Sequence, residues 1–212
     1  MLVGERMTRP VITVHADLPI QEALNLMREE NIRRAPVVDD HGHLLGIVSE
    51  RDLLHASPSD ATSLSVWELN YLLSKIRIDR VMTKEVITVS EDTPIEEAAR
   101  IMADHKIGGL PVTRRGEVVG MITETDLFKV FLELLGARQE GVRITALVPD
   151  APGELAKLTG AVRDAGGNII ALVTALGEST ENRLITLKVD HIDAPTARKV
   201  VESVALSIID LR

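Results

Sequence analysis

Apolar positions recur along this chain at two spacings, and they switch from one to the other twice. After Pro19, the residues Ile20, Ala23, Leu24 and Met27 fall on one helical face; after Pro94, Ile95, Ala98, Ala99 and Met102 do the same. A proline at the opening of a helix loses nothing, because its missing amide hydrogen has no intrahelical acceptor there. Pro36-Val37-Val38 and Leu44–Val48 are short apolar runs that predict strands. Between them, Asp39-Asp40-His41-Gly42-His43 has the composition of a hairpin turn, as has Arg114-Arg115-Gly116-Glu117 further on. The order predicted for each stretch is β-α-β-β-α.

The two stretches are copies of one unit. Met7-Thr8-Arg9-Pro10-Val11-Ile12-Thr13-Val14 returns as Met82-Thr83-Lys84-Glu85-Val86-Ile87-Thr88-Val89, at an offset of 75. Ile32, Pro36 and Val37 match Ile107, Pro111 and Val112 at the same offset. One residue is then lost in the turn, and Gly46-Ile47-Val48-Ser49-Glu50-Arg51-Asp52-Leu53 matches Gly120-Met121-Ile122-Thr123-Glu124-Thr125-Asp126-Leu127 at 74. Matches of this order across about 50 residues mark one repeated structural unit. The expected division is a first copy over residues 1–60, a linker helix over 61–76 and a second copy over 77–137. Leu64, Trp67, Tyr71 or Leu72 and Ile76 mark the apolar stripe of that linker.

From residue 139 the pattern changes. Val142, Ile144, Ala146 and Val148 alternate as a strand, and Asp150-Ala151-Pro152-Gly153 turns into a helix bearing Leu155, Leu158, Val162 and Ala165. Gly166 and Gly167 end that helix. Asn168–Ala175 and Arg183–Val189 read as strands, Ala197, Val200, Val201 and Val204 as a second helix face, and Ser207–Leu211 as a last strand. The order β-α-β-β-α-β over 139–212 is ferredoxin-like. The fold class expected for the whole is α+β.

Both copies resemble CBS motifs, and the doubled ending Gly-x-x-Ser/Thr-x-x-Asp-Leu makes the resemblance specific over residues 1–135. Asp150-x-Pro152-Gly153-x-Leu155, followed by Gly167-Asn168-Ile169, resembles an ACT domain. The combination is similar to the acetoin-utilization B type of regulatory protein. This implies a tandem CBS pair that binds AMP, ADP, ATP or S-adenosylmethionine in the cleft between its motifs. It also implies a homodimer, a regulated protein partner that the sequence does not name, and an ACT half that takes an amino acid or only dimerises. No cofactor is required and no catalysis is implied.

Ser49 with Asp52, and Thr123 with Asp126, are the sharpest candidate groups. Each hydroxyl stands three residues before a carboxylate at a strand-to-helix junction. There the hydroxyl and free helix-start amides can hold a phosphate while the carboxylate accepts ribose hydroxyls. The same residues also make an ordinary helix cap. By resemblance, Thr13 and Thr88 lie at the cleft edge, and the backbone of Arg34-Ala35 and Gly109-Leu110 reads the adenine edge. Arg33, Arg34, Arg51, Arg114 and Arg115 are then available for phosphates. Arg51 has no equivalent in the second copy, where Thr125 stands. In the C-terminal segment, Asp150, Gly153 and Asn168 form a candidate amino-acid site, which the resemblance to ACT domains places at a dimer interface. The alternative is that Asp150 caps the helix, Pro152 starts it and Asn168 is a turn residue.

Composition narrows these readings. The formal net charge is −8, with 16 basic and 22 acidic residues before residue 139. Neither half is basic and only four residues are aromatic, so a nucleic-acid surface is not expected. No cysteine is present, which removes disulfides, thiolate metal sites and cysteine nucleophiles. His41 and His43 lack a third ligand nearby in sequence and read as a solvated turn. No P-loop or Ser-His-Asp pattern is seen. Met1–Arg9 is too polar for a signal peptide and the longest apolar runs are too short for a bilayer span, so a cytoplasmic protein without membrane contact is expected.

Overall fold

The structure is a computed structural model, and it describes residues 1–56 and 75–212. The expected linker helix, with Leu64, Trp67, Tyr71 and Leu72, falls almost wholly outside the described residues. Contacts divide the chain into two compact units, Met1–Leu127 and Phe128–Arg212.

In the first unit, α1 (Val3–Arg6) precedes β1 (Val14–His15), α2 (Ile20–Glu29), β2 (Arg34–Val38), β3 (Leu44–Ser49) and α3 (Glu50–Ala56). A 3₁₀ turn (Ile78–Arg80) leads to α4 (Ile95–His105), β4 (Gly109–Arg114), β5 (Glu117–Thr123) and α5 (Glu124–Leu134), whose residues from Phe128 on belong to the second unit. Pro19 and Pro94 occupy the N-cap positions of α2 and α4, one residue before the first helical residue. β1, β2 and β3 form a three-stranded sheet, β1 parallel and β3 antiparallel to β2. The second copy repeats this with β4 and β5, while its first strand shrinks to a single parallel bridge, Val89 to Val112.

Each copy has its own core. Ile20, Ala23, Leu24 and Met27 of α2 pack with Val37, Val48, Leu53 and Ile78. Ile95, Ala98 and Met102 of α4 pack with Leu110, Val112 and Ile122, together with Val3 from α1. The helical faces foreseen from spacing are therefore the buried ones. At about 25 cal/mol for each Å² of apolar surface removed from water, such clusters are the main stabilising element of each copy.

In the second unit, β6 (Val142–Pro149), α6 (Glu154–Asp164), β7 (Asn168–Leu176), β8 (Asn182–Asp190), α7 (Ala194–Glu202) and β9 (Ser207–Leu211) give the ferredoxin-like order. The sheet runs β7-β8-β6-β9, with every neighbouring pair antiparallel. Alternate residues Ile144, Ala146 and Val148 of β6 and Ile185, Leu187 and Val189 of β8 face Leu158 and Val162 of α6 and Ala197 and Val201 of α7. Asp193 caps α7, accepting the Thr196 N–H at 2.9 Å.

Candidate functional site

Antiparallel register places the predicted residues of each copy at one end of its sheet. Arg34 opposes Ser49 and Ala35 opposes Val48; Gly109 opposes Thr123 and Leu110 opposes Ile122. Val14 pairs with Val37, which sets Thr13 beside Pro36; Val89 donates its N–H to the Pro111 carbonyl at 3.2 Å, which sets Thr88 at the matching place. Thr13, Arg34, Ala35, Ser49 and Asp52 thus gather at one end, and Thr88, Gly109, Leu110, Thr123 and Asp126 at its counterpart. The side chains of Ala35 and Leu110 are fully buried, so a ligand would meet only their backbone. Arg51 is exposed in the first turn of α3.

Each hydroxyl–carboxylate pair closes on itself. Ser49 donates its backbone N–H at 2.9 Å and its Oγ–H at 2.6 Å to Asp52 Oδ2, and Ser49 Oγ accepts the Asp52 N–H at 3.2 Å. Thr123 and Asp126 repeat the pattern at 3.1, 2.7 and 3.4 Å. These are reciprocal helix caps, so the capping alternative describes the local geometry. One expectation needs correcting: the helix-start amides are largely engaged. The Glu50 N–H donates to the Arg33 carbonyl at 3.0 Å, the Glu124 N–H to the Gly108 carbonyl at 3.3 Å, and the Asp52 and Asp126 amides serve the hydroxyls. A phosphate there would find few unpaired donors on the helix itself. On Asp52 both bonds from Ser49 fall on Oδ2. Asp126 is the more enclosed of the two, only 6% exposed.

The two copies meet through their turns and strand ends. The Leu44 N–H donates to the Gly116 carbonyl at 3.3 Å and the Val118 N–H to the Gly42 carbonyl at 3.2 Å. Across the same contact, the Arg34 guanidinium donates from Nη1 to the Gly108 carbonyl at 3.2 Å. Gly108 and Glu124 were not among the predicted residues. The only signal for them was that the repeat sets Gly109 against Arg34. His43 Nδ1 lies 3.1 Å from Asp39 Oδ2, and the hydrogen bond Asp39 accepts from the His43 backbone is the leading cause that lowers its carboxyl pKa. That arrangement orders the turn; among the described residues, no cluster of three or more His, Asp or Glu is set to hold a metal ion.

Within one chain, Asp150 and Asn168 of the candidate amino-acid site lie apart. Asp150 pairs with Arg183, which donates from Nε at 3.0 Å. The N-cap of α6 is Gly153, in the left-handed region at φ 92° and without a side-chain cap, so Asp150 is not the cap and Pro152 precedes the helix. Pro149 pairs with Asn182 and Asn168 pairs with Asp190, at opposite ends of β8. At the usual rise along a strand, that puts Asp150 and Asn168 of one chain about 26 Å apart. Asn168 is exposed. Asp150 instead lines a pocket of about 140 Å³ with Glu154, Leu155, Thr174 and Arg183. Arg183 was missed because nothing local in sequence couples it to Asp150.

Comparison with known proteins places these features. The CBS domain family matches residues 3–59 and 78–133, and the TTHA0829-like ACT domain matches residues 140–212. A CBS domain-containing protein of Dictyostelium discoideum is 31% identical over 136 residues, which cover 64% of this chain and 94% of that one. Among solved structures, the CBS domain pair of protein MJ0100 in complex with 5'-methylthioadenosine and S-adenosyl-L-methionine is 31% identical with a TM-score of 0.53, over 66% of this chain and 98% of that one. An acetoin utilization protein (AcuB) from Vibrio cholerae is 34% identical with a TM-score of 0.54, over 66% and 96%. CBSX2 in complex with AMP is 29% identical with a TM-score of 0.54, over 63% and 97%. Among the described residues, no helix is long and apolar enough to cross a membrane.

Proposed function

The chain belongs to the CBS-domain family and ends in a TTHA0829-like ACT domain, and from that premise we propose that it is a regulatory sensor, not an enzyme, whose CBS pair binds an adenosine compound. The observation that carries this reading is the doubled hydroxyl–carboxylate pair, set at the same strand-to-helix junction in both copies. In each, a carboxylate is locked by its own cap beside the strand backbone of Ala35 or Leu110. Relatives of similar pair structure hold AMP, or S-adenosylmethionine with methylthioadenosine. The proposed contacts are Asp52 and Asp126 to ribose, Thr13, Ser49, Thr88 and Thr123 at the cleft edge, Arg34-Ala35 and Gly109-Leu110 by backbone to the base, and Arg51 to phosphate. Ligand binding would shift the balance between two arrangements of the pair and so be passed to a protein partner.

Calorimetric titration with AMP, ADP, ATP and S-adenosylmethionine tests this, with mass analysis of each ligand after incubation. Saturable binding with the ligand recovered unchanged is expected. Conversion of the ligand would make the protein an enzyme. No binding by any of the four would leave the caps as purely structural and the chain as an interaction scaffold.

A further inference from the structure

Each copy seats a methionine sulfur on a glycine of the other. The repeat makes Met7 and Met82 equivalent, and likewise Gly46 and Gly120. A Cβ added to Gly46 would stand 2.7 Å from the Met82 sulfur and 2.8 Å from the Thr83 carbonyl oxygen; one added to Gly120 would run into the sulfur of Met7. Glycine is what lets a thioether come so close to a strand backbone. Beside each seat is a bridge of two hydrogen bonds. The Ile47 and Thr83 N–H groups donate to each other's carbonyls at 2.9 Å, and those of Thr8 and Met121 do the same at 2.8 and 3.2 Å. The Met82 side chain also packs on the first copy's core, in which Ile78 is fully buried.

The two seats differ in access. Met7 is 8% exposed, and Met27, Met102 and Met121 are buried as well. Met82 is half-buried. Among the described residues it is therefore the one methionine away from the terminus that solvent reaches. No cysteine competes for an oxidant. An oxygen placed on the Met82 sulfur would also lack a donor. The Thr83 carbonyl beside the seat is itself an acceptor, and the Ile47 and Thr83 N–H groups are engaged in the bridge. Oxidation turns an apolar side chain into a polar one, so the new oxygen either takes one of those N–H groups or leaves the seat for water.

We propose that Met82 is an oxidation site for a peroxide-class oxidant, and that its sulfoxide reversibly releases residues 82–83 from β3. In the step, a sulfur lone pair attacks one oxygen of hydrogen peroxide and the O–O bond breaks. The second oxygen departs as water with both protons; the thioether loses two electrons and the peroxide gains them. β3 runs on from Gly46 to Ser49, so the strand that is released leads into the Ser49–Asp52 pair. The mirror bridge, with Met7 shut away beside it, stays closed, and the two halves of the pair respond unequally to one oxidant.

The test treats the full chain with dilute hydrogen peroxide, locates the added oxygen by peptide mass analysis and follows amide hydrogen exchange. Met82 should be oxidised about tenfold faster than Met7, Met27, Met102 and Met121, in keeping with its access to solvent. The Ile47 and Thr83 amides should then exchange about tenfold faster, while those of Thr8 and Met121 keep their rates. Methionine sulfoxide reductase should restore the original rates. Met82→Leu keeps the volume without an oxidisable sulfur, and its bridge should stay closed with or without peroxide. Oxidation no faster at Met82 than at Met7, unchanged exchange of Ile47 and Thr83 in the oxidised chain, or the same acceleration in peroxide-treated Met82→Leu, overturns the proposal.

Discussion

Thr123 donates twice to one oxygen of Asp126: its backbone N–H and its hydroxyl both reach Oδ2, at 3.1 and 2.7 Å. Ser49 treats Asp52 in the same way. Two bonds from one residue hold one oxygen of the carboxylate in place before any ligand arrives. Capping and ligand binding are therefore compatible duties of one side chain, and the ordering cost that a free carboxylate would meet on binding is already met in the fold.

Replacement of each aspartate separates the two duties. Asp52→Ala and Asp126→Ala should each lower stability by about 1 kcal/mol through the lost cap. If the carboxylate also holds ribose, each should weaken adenosine-compound binding by about 1.5–3 kcal/mol, or on the order of tenfold to a hundredfold. Melting curves and calorimetry on the same preparations check both numbers. A 2′-deoxy ligand should bind the parent chain less tightly and lose little more against the matching mutant. Unchanged affinity in both mutants would reduce these residues to caps.

The C-terminal unit should respond to amino acids through one end of its sheet only. Asp150, Glu154 and Arg183 line the same pocket, while Asn168 lies at the far end of β8. For any amino acid that raises the melting temperature at millimolar concentration, Asp150→Ala should remove the rise and Asn168→Ala should leave it. Loss of the rise in both variants would assign the site to a pair of chains, with Asn168 supplied by the second.

Acid should weaken this unit through identifiable carboxylates. Asp210 is held below the usual carboxylate range first by its hydrogen bond with Arg212 and then by the charges of Arg212 and Arg143. Asp193 is lowered by the hydrogen bonds it accepts from Thr196. For both, the folded state binds protons less readily than the unfolded state. Their contribution is complete above the unfolded value near pH 4 and is lost as pH falls through the lowered folded values. Asp210→Asn should therefore depress the melting temperature at neutral pH, and the gap to the parent should close as pH falls through the lowered folded value. A gap independent of pH would mean that the charge of Asp210 is not what stabilises.

Local periodicity made much of this fold legible. The faces of α2, α4 and α7 and the order of strands followed from apolar spacing, and the repeat gave the pairing of the copies; on α6, Leu158 and Val162 are buried as expected while Leu155 is 44% exposed. What spacing could not give was contact between distant segments. Arg34 over Gly108 and Arg183 beside Asp150 join residues 74 and 33 apart in sequence. The separation of Asp150 from Asn168 followed only once the register along β8 was fixed, since a motif read along the chain says nothing of which end of a sheet each member occupies. Likewise Val130 of α5 turns inward and is 5% exposed, because its helical phase places it opposite Phe128 and Leu132.

The remaining apolar stripe of α5 predicts self-association. Phe128, Phe131 and Leu132, with Leu135 just past the helix end, fall at the spacing of one helical face, and the first two are 67% and 56% exposed. Burying one such ring is worth about 1.5–3 kcal/mol, and in a twofold dimer each residue counts twice. Light scattering at micromolar concentration should therefore give the mass of two chains. Phe131→Glu puts a charge into the centre of the stripe and should raise the dimer dissociation constant by about a hundredfold or more, enough to give monomers at the same concentration. Phe131→Leu keeps the face apolar and should stay dimeric. A parent chain that scatters as a monomer would refute the role of this face, and a Phe131→Glu dimer as tight as the parent would move the interface elsewhere.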